Sequence, residues 1–155
     1  MPRGEIAKRS GTPLGDGAGA IVFASDTRTT LAADQAQAAG AYAILLTAPV
    51  VNLPVARDVD IQLTFSIAIG AGSIANLAIF VDGVLKDGAE CWINGNVAQQ
   101  SGAVGWRQNL AAGNHTITIQ WQNIGGGGAG LFCRPATHPG LESCSVRVQV
   151  LEPVS

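Results

Sequence analysis

From residue 59 to residue 69 the chain reads Val-Asp-Ile-Gln-Leu-Thr-Phe-Ser-Ile-Ala-Ile, with an apolar side chain at every odd position. A period of two places those side chains on one face of an extended strand and Asp60, Gln62, Thr64 and Ser66 on the other. A helix, whose apolar stripe repeats about every 3.6 residues, does not accommodate this pattern. The segment demands a sheet with one buried face. The same alternation returns at residues 115–122, with Ile117, Ile119 and Trp121 on one side, and at residues 143–151, with Cys144, Val146, Val148 and Val150.

Shorter apolar runs lie at residues 20–24, 28–31, 43–46, 50–53, 77–81, 84–85, 90–93, 103–110 and 131–134. Asp82-Gly83 separates two of them. That pair is what a two-residue hairpin turn requires, because both central residues take positive φ. Asn94-Gly95 ends another run, Ala112-Gly113-Asn114 reads as a turn, and the four glycines at 125–128 read as a loop. Residues 32–43, rich in Ala and Gln, are expected to form a helical turn or two, interrupted at Gly40. Eight or more short strands divided by turn signals predict an all-β sandwich, jelly roll or barrel.

Composition adds a constraint on the surface. Only 13% of the 155 residues are charged, against roughly a quarter in ordinary soluble domains. Either Ser, Thr, Asn, Gln and Gly cover the outside, or part of it is buried against partners. Nine Lys and Arg stand against 11 Asp and Glu, with no cationic cluster, so nucleic acid is not an expected partner. No apolar run reaches the length of a helical membrane span, and residues 1–5 lack the apolar stretch of a signal peptide. The expectation is a chain made in the cytoplasm, without a membrane partner. Cys91, Cys133 and Cys144 are odd in number and read as small buried apolar residues.

Residues 1–19 differ from the rest. They carry Arg3, Glu5, Lys8, Arg9 and Leu14 and a Gly-rich run at 11–19, without strand or helix periodicity. They are expected to form an extended arm that orders on a partner, leaving residues 20–155 as the folded domain.

Catalysis needs a nucleophile, a base and a group to orient them. The two histidines, His115 and His138, lie on the polar side of a strand and in a Pro-flanked loop. Cys133, His138 and Cys144 lack the paired spacing of a zinc site. The glycines at 15–19 have no Lys-Ser/Thr pair to make a phosphate loop, and no Gly-x-Ser-x-Gly elbow occurs. Asp58 and Asp60 read as solvated carboxylates on one strand face. No enzyme activity, metal or cofactor is expected. Trp121 is expected in the core, and Trp106 is the tryptophan singled out as a candidate for a subunit interface.

The stretch Ala112-Gly113-Asn114-His115-Thr116-Ile117-Thr118-Ile119-Gln120-Trp121 resembles the aG-x-H-t-i-x-l-x-W strand of phage and bacterial jelly-roll proteins. A Gly-rich loop, a strand containing Arg134 and the alternating strand at 143–151 follow in the same order. Phe80-Val81-Asp82-Gly83-Val84 resembles their central hairpin. The match spans roughly residues 59–151 and is similar to the tumour-necrosis-factor-like and complement-globular-head jelly rolls, which typically form trimers. The resemblance implies an antiparallel jelly-roll sandwich with an extended N-terminal arm, assembled as a homotrimer. It further implies a bacteriophage capsid decoration, or cement, protein on the virion surface, with the major capsid protein as partner. In that role Arg3, Glu5, Lys8, Arg9 and Leu14 of the arm would meet the capsid. Trp106, His115, Arg134 and His138 are the candidate subunit-interface residues. The alternative is a receptor- or glycan-binding domain of a tail or head fibre. The absence of coiled-coil heptads or shaft repeats favours decoration.

Overall fold

The computed structural model describes residues 23–38, 40–94, 99–125 and 130–152. Their elements are strands: β1 (Phe23–Thr30), β2 (Gln35–Gln37), β3 (Ala43–Thr47), β4 (Val51–Leu53), β5 (Arg57–Ile69), β6 (Ile74–Val81), β7 (Val84–Asn94), β8 (Gln100–Leu110), β9 (Gly113–His115), β10 (Ile117–Asn123), β11 (Leu131–Cys133) and β12 (Ser143–Leu151). No helix occurs among the described residues.

The long strands pair in a nested order. β1 pairs with β12, β3 with β10, β5 with β8 and β6 with β7, all antiparallel. First with last and inward to the middle is the pairing of a hairpin folded back on itself, which is a jelly roll. β12 then joins β5 and β10 joins β6. Two sheets result: β1-β12-β5-β8 and β3-β10-β6-β7. β11 and β2 extend the first sheet beyond the end of β5, and β4 with β9 makes a short separate ribbon.

The core lies between the sheets, where the alternation places it. Val59, Ile61, Leu63, Phe65, Ile67 and Ile69 from β5 are buried, as are Cys144, Val146, Val148 and Val150 from β12. They face Ile117, Ile119 and Trp121 of β10 and Leu77, Ile79 and Val81 of β6. Burial holds the Cys133 and Cys144 thiols up at about 12, so both behave as apolar fillers and not as thiolates.

The Asp82-Gly83 hairpin forms as expected, with φ of 54° and 75° at its two central residues. A Cβ on Gly83 would meet nothing within 4 Å, so only backbone strain opposes it. Gly83→Ala should therefore lower unfolding stability by about 1 kcal/mol in a denaturant titration.

Other local expectations give way to tertiary contacts. The helical turn expected within 32–43 does not form. Residues 35–37 instead pair with β11, and Asp34 accepts hydrogen bonds from the backbone N–H groups of Ala136 and Thr137 and from the Thr137 hydroxyl. Long-range pairing and this anchor outweigh the helical preference of Ala and Gln. The Gly113-Asn114 turn is drawn into strand β9 because β4 pairs with it. Of the runs expected at 20–24 and 28–31, residues 23–24 and 28–30 belong to one strand, β1, and residues 20–22 lie outside the described residues. The arm residues 1–19 and the glycines at 126–128 lie outside the described residues.

A candidate protein-contact face

Residues paired across antiparallel strands share a face, so the registers map the two outer surfaces. On the first sheet, Asp26, Gln149, Asp60 and Arg107 lie in one row and Arg28, Arg147 and Gln62 in the next. Thr30, Ser145 and Thr64 follow, and Asp58 pairs with Asn109 on the same side. This face holds Asp26, Arg28, Asp58, Asp60, Arg107 and Arg147. Arg147 Nε donates to Asp26 Oδ1 at 2.9 Å, and that hydrogen bond holds the Asp26 carboxyl below its usual range. Asn109 donates to Asp58 at 3.0 Å. Asp58, Arg107, Asn109, Arg57 and Glu152 line a shallow crevice of about 240 Å³. In it Arg107 sits 3.5 Å from Asp58 and Arg57 sits 3.6 Å from Glu152, so its charges balance.

The outer face of the second sheet is different. Its rows are Thr47, Thr118, Phe80 and Leu85; then Ile44, Gln120, Ala78 and Glu90; then Gln122, Asn76 and Trp92. Glu90 is the one charged residue in those rows. Ile44 is 58% exposed, Trp92 59% and Leu85 36%. The face is thus poor in charge and leaves three large apolar side chains in water, around a middle in which Asn76, Ala78, Phe80 and Thr118 are buried.

A hydrogen-bonded chain stiffens it. Asn76 Nδ2 donates to the Tyr42 hydroxyl at 2.6 Å, Tyr42 donates to Glu90 Oε1 at 3.1 Å, and Trp92 Nε1 donates to Glu90 Oε2 at 2.9 Å. Tyr42 also stands edge-on to Phe80, with ring centroids 5.1 Å apart. Burial first, and then Glu90, pushes the Tyr42 phenol up to about 12, so it stays a donor. The Asn76 Oδ1 is buried with no partner. Glu90 thus fixes the orientation of an exposed indole.

The sequence did not announce this face, for a specific reason. Between Leu85 and Glu90 the register with β6 shifts, and residues 86–89 stand opposite Ile79 alone. Leu85 and Glu90 share a face although five positions separate them, so simple alternation loses phase there. β6 itself is apolar on both sides, a pattern that shows burial without showing which side remains to be covered.

The candidate interface residues lie elsewhere and do not gather on one surface. Trp106 pairs with Ile61 and is only 8% exposed, inside the core, with Lys86 Nζ 6.0 Å from its ring centroid. His115 is bonded to Asp82 and to the Ala111 carbonyl. Arg134 lies over the Phe132 ring and bonds Glu142, whose side chain is 5% exposed. His138 Nδ1 lies 3.1 Å from the Thr137 hydroxyl in the turn that precedes β12. Arg3, Glu5, Lys8, Arg9 and Leu14 lie outside the described residues. Among the described residues, no three His, Cys, Asp or Glu side chains cluster as a metal site would require.

No protein-family model matches the chain, and no curated protein matches it. Among solved structures, it is similar to a chain in a structure of the infectious bursal disease virus Gx strain, at 13% sequence identity and a TM-score of 0.41. That match covers 86% of this chain and 39% of the other, so this chain spans well under half of the length of the one it resembles.

Proposed function

We propose that this protein is a non-enzymatic structural component of a bacteriophage particle, a decoration (cement) protein that binds the capsid surface through protein–protein contacts. The observation that carries this reading is the outer face of β3-β10-β6-β7, where Ile44, Leu85 and Trp92 stand exposed beside a single carboxylate. Covering such a face removes apolar area from water at the cost of desolvating one carboxylate, whose two oxygens already accept hydrogen bonds from Tyr42 and Trp92. In this reading the chain assembles as a homotrimer, and repeated weak contacts to the major capsid protein sum to tight attachment. Arg3, Lys8 and Arg9 of the arm pair with capsid carboxylates.

Sedimentation with intact heads, beside sizing of the purified protein, tests the proposal. Replacing Ile44 and Trp92 together by Ser should leave the melting curve nearly unchanged, because both side chains are more than half exposed. It should weaken self-association or head binding at least tenfold, as expected when a central aromatic contact of about 2 kcal/mol is lost. A wild-type monomer with no affinity for heads would reject the reading. So would a variant that assembles and binds like the wild type.

A second reading is receptor or glycan binding, and the Trp92 cluster favours it. An indole locked by Glu90, next to Gln122, suits stacking and hydrogen bonding to a sugar ring. Deleting residues 1–19 separates the two. A decoration protein loses its heads, whereas a glycan binder keeps its ligand until Trp92 is changed to Ala.

A further inference from the structure

His115 sits in the β4–β9 ribbon, paired with Val51, with its side chain 12% exposed. Its ring meets a hydrogen-bond acceptor at each nitrogen. Asp82 Oδ2 lies 2.7 Å from Nδ1, and the Ala111 carbonyl oxygen lies 2.9 Å from Nε2. A neutral imidazole carries one N–H and one lone pair, so it can donate to only one of these oxygens and must aim its lone pair at the other. Only the doubly protonated ring donates to both.

The acceptors are themselves held in place. Asp82 opens the β6–β7 turn at positive φ, its Oδ1 accepts the Thr116 N–H at 2.8 Å, and its own N–H donates to the Thr116 carbonyl at 2.8 Å. Ala111 belongs to the link between β8 and β9. The ring therefore ties together the β6–β7 turn, that link and the entry to β10. Val84 and Val50, 57% and 61% exposed, flank the same end, one after the turn and one before β4.

We propose that His115 is held as the imidazolium and makes this end of the jelly roll a proton-operated latch, shut in mildly acidic solution and loosened as the ring loses its proton. The charged groups facing the ring agree with this on balance. Asp82 favours the cation, and Lys86 from β7 opposes it; β4 and residues 111–113 bring no charged side chain. The hydrogen bond to Ala111 is the largest influence raising the His115 pKa, with Asp82 next, and the hydrogen bond from His115 leads those lowering Asp82. The raised histidine contributes stability that is complete below its ordinary value of about 6.5 and is lost as pH climbs through its folded value. The lowered aspartate contributes stability that is complete above its ordinary value of about 3.9 and is lost as pH falls through its folded value. The latch is tightest between those limits.

Nitrogen-15 NMR titration of the intact protein tests this directly. His115 should carry protons on both ring nitrogens at pH 6. It should titrate above histidine in the urea-unfolded chain, because both the Ala111 carbonyl and Asp82 favour the charged ring. Asp82→Asn should bring the midpoint back down, and the fall in melting temperature from pH 6 to pH 8 should shrink in His115→Gln. A neutral His115 ring at pH 6, or a midpoint at or below the unfolded value, would overturn the proposal. The wild-type titration decides the matter even if a variant fails to fold.

Discussion

Trp121→Ala should lower unfolding stability by about 3–5 kcal/mol, the largest loss expected from any single tryptophan. Trp121 is 2% exposed and pairs with Ala43 on one side and Leu77 on the other, in the middle of β3-β10-β6-β7. Its indole fills the space between the sheets, and strands hydrogen-bonded on both edges cannot close over the void. Since a domain of this size is typically stable by only about 5–15 kcal/mol, a large share of the total is at stake. A urea titration should show the midpoint falling with little change in slope. Trp92→Ala, on the outer face of the same sheet, should change stability by less than about 1 kcal/mol. Equal losses at the two positions would contradict the assignment of inner and outer faces.

The second large effect concerns Arg134. Glu142 is nearly buried and accepts hydrogen bonds from the Arg134 backbone N–H at 2.7 Å, from Nε at 3.1 Å and from Nη2 at 2.7 Å. Arg134→Ala removes the guanidinium from a nearly buried carboxylate and leaves it only the backbone N–H of residue 134, which should shift a denaturant midpoint clearly downward. The pair lies between β11 and β12, so its loss should also loosen the turn where Leu141 and Glu142 bond back to His138. Replacing both charges, with Arg134→Met and Glu142→Leu together, should recover much of the loss, because no unpaired charge remains. A double-mutant cycle measured by denaturant melts gives the coupling. If Arg134 instead served only a subunit contact, Arg134→Ala would leave the monomer's stability unchanged and alter assembly alone.

Much of the fold was legible because its signals are local. Alternation at residues 59–69 and 143–151 marked β5 and β12 and their buried faces, and Asp82-Gly83 marked the central turn through the φ values those two residues tolerate. The candidate contact face was not legible in the same way. Trp92 and Trp106 both follow irregular stretches, yet one is 59% exposed and the other 8%. The shifted register in β7 separates them, and it exists only because β6 is there to pair with.

His115 shows the same division within one side chain. Its place on the polar side of a strand followed from alternation, but its two acceptors come from Asp82 and Ala111, brought together by the ribbon and the hairpin. Arg134 likewise receives its partner from the fold, since Glu142 meets it across the turn. The amino-acid sequence by itself determined that the chain is built mainly of strands and which side of the alternating ones faces the core, because backbone pleating and turn sterics act between neighbours. The tertiary structure alone decided which strands pair, which apolar face is left uncovered and which charges are matched, because those outcomes depend on contacts between residues far apart along the chain.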